Sequence, residues 1–292
     1  MTNQHKIDKL RAEYNDLNIQ QNGIKLCANS FFGKTSNKYS KLYSPITLLH
    51  TVNTGQLTIM MYMEQILEKI PSADIFYSNT DSVMLKIKKK DEKKLIKLVS
   101  KLDKKSKLIM EYDYYDTIAI RDVNNYVGVY TNGKIKAKGA YSEDSLMKNK
   151  NVSICYEAVR EYIKSGTPLK TTIDNCKDMN KFIVGRNVTG GAMLGGEPIL
   201  GEKKAVVGTT GKTTMRKNVL GFTDDSEYAG KVVRFYFAKD GDVMWYKKTA
   251  NKVPLTESGV KSLLDMPQEL PTDINYEWYY NFAQEALKDL GN

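Results

Sequence analysis

Asp74-Ile75-Phe76-Tyr77-Ser78-Asn79-Thr80-Asp81-Ser82-Val83-Met84-Leu85-Lys86-Ile87 is the stretch on which the reading of this chain turns. Two apolar, β-prone runs flank a polar centre, Ser78-Asn79-Thr80-Asp81, which is the pattern of a β-hairpin. In the second arm Val83, Leu85 and Ile87 fall on one face and Met84 and Lys86 on the other, as in a half-buried strand. A short turn between two anchored strands holds its side chains rigidly, which suits a metal-binding carboxylate. Asp81 is the only carboxylate at the tip.

Upstream, residues 1–22 are polar and helix-compatible, with Ile7, Leu10 and Tyr14 spaced by three and four. The character changes at Gly23, and residues 24–33 predict a helix ending at Gly33 in a left-handed cap. Residues 34–52 read as loop, with Ser44-Pro45 marking a break. Asn53 and Thr54 can cap a helix running to about Lys69, whose apolar surface (Leu57, Met60, Met61, Ile66, Leu67) calls for burial under a sheet.

Downstream of the hairpin, residues 91–107 predict a helix with an apolar stripe of Leu95, Leu98, Val99 and Leu102. Lys93, Lys94, Lys97, Lys101, Lys104 and Lys105 occupy its other faces and read either as a solvated surface or as phosphate contacts. Strand-like sequence follows to Tyr130, and Asn132-Gly133 predicts a two-residue hairpin turn. In the arm beyond it Lys134, Lys136 and Lys138 alternate with small or apolar residues and line one face, well placed to follow a phosphate backbone. Helices are then predicted over 151–165, stopped by Gly166, and from Thr167-Pro168. Residues 181–188 and 231–238 predict strands, the Gly-, Thr- and Lys-rich segment 189–225 loops, and residues 273–290 a helix capped by Asp273.

A chain of 292 residues can bury a sizeable core in two domains or subdomains. Hydrophobic and charged contents of 41% and 27% are those of a globular protein. No apolar run approaches the roughly 20 residues of a membrane span, and the polar start is no signal peptide. Cys27, Cys155 and Cys176 lack the spacing of a disulfide framework or zinc site, so a reducing, cytoplasmic setting is expected. The only two histidines, His5 and His50, are expected as surface or packing residues. A net charge of +10 and a pI near 9.2 favour an anionic partner, nucleic acid first among them. Gly208-Thr209-Thr210-Gly211-Lys212-Thr213 imitates a phosphate-binding loop, but it is two residues short of that motif and has no preceding βαβ context.

Lys25 and Asn29 stand four apart on the first predicted helical face, and Phe32 shares it. A cation, an amide and a ring so placed suit a nucleotide. The string Lys25-x-x-x-Asn29-Ser30-x-Phe32-Gly33, followed by a hairpin reading Tyr77-Ser78-Asn79-Thr80-Asp81-Ser82, resembles the family B DNA polymerases. The first matches that family's fingers-helix motif and the second its palm hairpin, usually written Y-x-D-T-D-S. Asn125-Tyr126 and the 134–139 strand look like its primer-gripping K-x-Y region. Ser165-Gly166-Thr167-Pro168, Arg186-Asn187-Val188 and Asn275-Tyr276-Glu277-Trp278-Tyr279 look like the C-terminal part of tailed-phage polymerases.

The resemblance implies an α+β fold: partial fingers over 1–52, a palm-type antiparallel sheet with packed helices over 53–145, and a mixed helical and β thumb over 146–292. It implies template-directed transfer of nucleotides from dNTPs to a primer 3′-hydroxyl with two Mg²⁺ ions, in a host cytoplasm if the source is viral. Asp81 would hold metal, with Asn79 a weak carbonyl ligand whose commoner role is to hold the turn. Lys25 would neutralise the triphosphate, Asn29 would orient it, Phe32 would pack at the nascent base pair, and Gly33 would belong to the same nucleotide-binding motif. Asn125, Tyr126, Lys134, Lys136 and Lys138 would grip the primer–template backbone. The chain departs from the family at Asn79, where an aspartate is usual, and at Asn124, where the K-x-Y lysine would stand. It also lacks the upstream D-x-x-S-L-Y-P aspartate and the exonuclease. Two cations about 3.5–4 Å apart need more than one carboxylate. The expectation is therefore a C-terminal polymerase chain, inactive alone and completed by a partner chain carrying the second aspartate. The alternatives are a non-catalytic DNA-binding remnant or accessory, and a piece of a longer, full-length enzyme.

Overall fold

The computed structural model describes residues 3–143, 151–188, 191–200, 205–207, 213–215, 232–247, 249–263 and 266–291. The fold is α+β, and every strand pair among the described residues is antiparallel. The chain divides into two compact units, Met1–Tyr112 and Asp113–Asn292.

The first unit begins with α1 (Asn3–Ser36) and α2 (Pro45–Lys69). The expected division at Gly23 does not occur, because one glycine in a long helix costs only about 1 kcal/mol and both flanks favour helix. Gly33 is helical too. The helix ends three residues later, where the Thr35 and Ser36 hydroxyls bond back to the carbonyls of Phe32 and Gly33 at 2.6 and 2.8 Å. Helix α2 starts well before Asn53: Ser44 caps it by accepting from the Thr47 amide at 3.3 Å, and Pro45 fills the first turn, where its missing N–H is no loss. Ser44-Pro45 is thus a helix start.

The hairpin consists of β1 (Asp74–Asn79) and β2 (Ser82–Lys86). Helix α3 (Glu92–Ser106) follows a 3₁₀ turn. Its stripe of Leu95, Val99 and Leu102 packs with Tyr62, Ile66 and Ile70, and Leu85 and Ile87 lie against the same cluster. Burial of α2 is thus owed largely to a helix, and only its C-terminal half is covered. Ile46, Leu49, Leu57 and Met60 remain exposed.

The second unit opens with a three-stranded sheet of β3 (Tyr115–Asp122), β4 (Asn125–Tyr130) and β5 (Ile135–Lys138), in that order. The β4–β5 connection is one residue longer than expected. Gly133 donates to the Tyr130 carbonyl at 2.8 Å and takes φ +76, a left-handed residue closing a three-residue loop. Helices α4 (Ser153–Ser165) and α5 (Leu169–Asn175) follow, with Gly166 ending α4 at φ +72.

Next come β6 (Val184–Asn187), β7 (Ala192–Leu194), β8 (Glu197–Leu200), β9 (Ala205–Val207), β10 (Thr213–Met215), β11 (Val232–Asp242), β12 (Met244–Tyr246) and β13 (Val260–Leu263). They form the sheets β13-β11-β6, β12-β7-β8 and β10-β9. The described parts of 189–225, expected as loops, are therefore largely short strands, whose three- and four-residue lengths carry too little periodicity to register in sequence. The phosphate-loop look-alike lies outside the described residues save for Thr213. Helix α6 (Tyr276–Lys288) closes the unit. Its cap is Asn275, which accepts from the Trp278 amide at 3.1 Å. Asp273, the expected cap, is engaged instead by the Tyr236 hydroxyl and Lys261.

One phenol ties the second unit together. Tyr279 of α6 is fully buried, donates to the Phe182 carbonyl at 2.8 Å, and accepts from the Phe237 amide of β11 at 3.0 Å. The rings of Phe182 and Phe237 meet its ring edge-on, 5.1 and 5.6 Å away. Tyr279→Phe keeps the ring but strands a buried carbonyl and amide. It is expected to lower unfolding stability by about 2–4 kcal/mol, read as a shift of the denaturant midpoint with unchanged slope.

Candidate functional site

Register places the hairpin carboxylate. Asn79 pairs with Ser82, so the loop is only Thr80-Asp81, and Ser78 and Asn79 belong to the strand although their side chains are polar. Thr80 adopts φ +42, the left-handed conformation that so short a loop requires. A register shift between Ile75 and Tyr77 leaves Phe76 as the extra residue of a bulge, exposed, while Tyr77 is buried against the unit. Asp81 is exposed on the loop. The Asn79 amide oxygen accepts from the Thr80 hydroxyl at 3.0 Å, and its backbone carbonyl accepts from the Ser82 hydroxyl at 3.1 Å. Asn79 thus takes part in bracing the loop that carries Asp81.

Lys25, Asn29 and Phe32 share a face of α1 and are exposed. Among the described residues neither Lys25 nor Asn29 makes a side-chain hydrogen bond or ion pair, so ammonium and amide are available to a ligand. No group of three or more His, Cys, Asp and Glu side chains suited to a metal ion occurs among the described residues. The described residues therefore do not by themselves fit a two-ion centre, which needs more than the single carboxylate of the hairpin loop.

In the second unit, Asn125 is consumed structurally. Its amide nitrogen donates to Asp122, and its amide oxygen accepts from the Ala140 backbone at 3.0 Å. Asp122 is held below the ordinary carboxylate range by that Asn125 bond and by Arg121 at 2.7 Å. Gly139 makes this possible: it sits at φ +66, and a Cβ there would collide with the Asn125 side chain and the Asn124 carbonyl. Tyr126 is buried. Asn124 takes φ +67 in the tight β3–β4 loop, a conformation asparagine tolerates far better than lysine does.

Lys136 and Lys138 alternate along β5 and Lys134 directly precedes it, but their situations differ. Lys136 reaches Asp113 at 2.7 Å, where the hydroxyls of Tyr115 and Tyr130 also donate, at 3.2 and 3.3 Å. The bond from Lys136 holds the Asp113 carboxyl below its usual range, outweighing the opposing effect of burial. Burial alone would lower Lys136, but its bonds to Asp113, Tyr115 and Tyr130 prevail and hold its ammonium above the ordinary value. Lys134 and Lys138 are exposed and make no ion pair among the described residues.

Residues 4–120 match the family model of DNA polymerase family B. Thus α1, the hairpin, α3 and nearly all of β3 lie within the matched part, whereas Asn125, Tyr126 and the 134–138 lysines lie beyond it. The chain is 32% identical over 108 residues to the DNA polymerase alpha catalytic subunit of Leishmania donovani, covering 37% of this chain and 8% of that protein. It is 38% identical over 77 residues to the subunit of the same name from Trypanosoma brucei brucei, covering 26% of this chain and 6% of that one. The chain therefore spans less than a tenth of the length of these curated relatives.

Two outcomes follow from this geometry. Gly139→Ala should cost about 1–3 kcal/mol and release Asn125, read by thermal unfolding and by loss of exchange protection at the Ala140 amide. Asp113, depressed when folded, contributes stability that is present above its unfolded pKa and lost as pH falls through the lower folded value. The stability gap between the wild type and Asp113→Asn should therefore hold at neutral pH and shrink as pH falls below about 4, as acid titrations of both proteins will show.

Proposed function

We propose that this chain is part of a family B DNA polymerase, extending a primer 3′-hydroxyl with dNTPs. Asp81 would be one of at least two carboxylates at the catalytic centre. The observation that carries this reading is the match over residues 4–120 coinciding with a hairpin whose two-residue loop holds Asp81 rigidly at its tip. Paired divalent ions, once bound, would supply Lewis-acid activation of the hydroxyl and charge neutralisation on the phosphates. This chain's own part would be to hold one metal-binding carboxylate, to meet the triphosphate with the Lys25 ammonium, and to orient it through Asn29 with Phe32 beside the base.

The second carboxylate would arrive on a partner chain, for which α1 would offer a surface. Every described side chain from Gln4 to Lys34 is exposed, whereas Thr35 is buried where the helix meets α2. Along that face Ile7, Leu10, Tyr14, Leu17, Gln21, Ile24, Ala28, Phe31 and Thr35 recur at alternating steps of three and four, the seam of a two-helix coiled coil. Lys6, Arg11 and Lys34 flank that seam against a single acid, Glu13, apart from the Lys25 assigned to the triphosphate. A second copy of the same helix would bring like charges together, so the partner helix would be apolar at its seam and acidic at its edges.

Primer extension with Mg²⁺ and dNTPs tests this, with the chain alone and with a chain bearing a D-x-x-S-L-Y-P aspartate. The pair is expected to synthesise DNA, the chain alone to be inactive, and Asp81→Ala to reduce the pair's rate by roughly 10³-fold or more. Robust extension by the isolated chain, or a pair indifferent to Asp81→Ala, would overturn the reading. Because the described residues hold no complete metal group, a second reading is a non-catalytic DNA-binding chain. It predicts salt-sensitive DNA binding that no partner converts to synthesis.

A further inference from the structure

Between Lys88 and Lys107 stand ten lysines, at 88, 89, 90, 93, 94, 97, 101, 104, 105 and 107, and all ten are exposed. The three acids of the same stretch are turned to internal use or half-buried. Asp103 accepts from the Tyr62 hydroxyl at 2.8 Å and the Met110 amide at 3.4 Å, Asp91 accepts from Ser72 at 2.6 Å, and Glu92 is half-buried. Among the described residues none of the ten lysines is ion-paired.

Packing fixes where these charges point. With Leu95, Val99 and Leu102 buried, Lys93, Lys94, Lys97, Lys101, Lys104 and Lys105 gather within about 120° of the helix circumference, on the side away from that stripe. Like charges three and four residues apart destabilise a helix, and solvated helix faces ordinarily alternate their signs. Here the repulsion stands unrelieved. The face also carries no arginine, asparagine, glutamine or aromatic residue with which to read a base edge or stack on one.

We infer that the outer face of α3 is a sequence-independent docking surface for the phosphate backbone of duplex nucleic acid, distinct from the Asp81 loop. The inference does not rest on catalysis by this chain. Rows of lysines four apart place ammonium groups about 6 Å apart along the helix, and lysine acts there as a point charge on phosphate.

The test is equilibrium binding of the full chain to a labelled blunt duplex across a salt series, without dNTPs or a partner chain. The compared variant carries Lys93→Gln, Lys97→Gln, Lys101→Gln and Lys104→Gln, which preserve helix propensity; circular dichroism verifies the fold. The slope of log affinity against log salt is expected to fall by about 2–4 in the variant, with similar losses for duplexes of unrelated sequence. A control variant replaces exposed lysines of the second unit, Lys164, Lys177, Lys239 and Lys288, with Gln. An unchanged slope in the α3 variant, an equal loss in the control, or a loss confined to binding of phosphatidylserine vesicles would each overturn the assignment. Failure of primer extension bears only on the polymerase reading, because this assay involves no synthesis.

Discussion

A hairpin closed by two residues leaves no slack at its tip, and the candidate site depends on that constraint. Once Asn79 pairs with Ser82, the two remaining residues must reverse the chain at once, and Thr80 takes a left-handed backbone to do so. The cost is of the order of a kilocalorie per mole. Bonds from the Thr80 and Ser82 hydroxyls to Asn79 help to offset it. Asparagine at this position is therefore not an empty ligand site, since its side chain shares in holding Asp81 in place.

The two units solve the problem of polar groups near apolar cores in different ways. In the first, Asp103 at the foot of α3 collects a tyrosine hydroxyl and a backbone amide where α2 and α3 meet. In the second, Tyr279 serves two chain segments through one oxygen, and Thr256 does the same where β12 meets the turn before β13. In each, a short list of side chains completes hydrogen bonds that helices and ladders leave open, and these side chains hold the register of the apolar packing around them.

Much of this was legible in the sequence where local chemistry decides. The hairpin, the α3 stripe and the Gly166 stop all follow from spacing and turn residues. What escaped was decided by competition. Gly23 and Gly33 look like helix ends, yet α1 runs unbroken through both, since a single helical glycine costs only about 1 kcal/mol. Asp273 looks like a cap, but Tyr236 and Lys261 hold it and Asn275 does the work. The lysine row of β5 reads as uniform, although Asp113, more than twenty positions away in sequence, claims Lys136 and leaves Lys134 and Lys138 exposed. The long seam of α1 is visible only when the helix is read unbroken.

The lysine face of α3 has a kinetic meaning beyond affinity. A surface that senses phosphates and no bases would have nearly the same energy at every register along a duplex, so no register would be favoured over its neighbours at that contact. Grip and translocation, which oppose one another wherever side chains read sequence, become compatible on such a face.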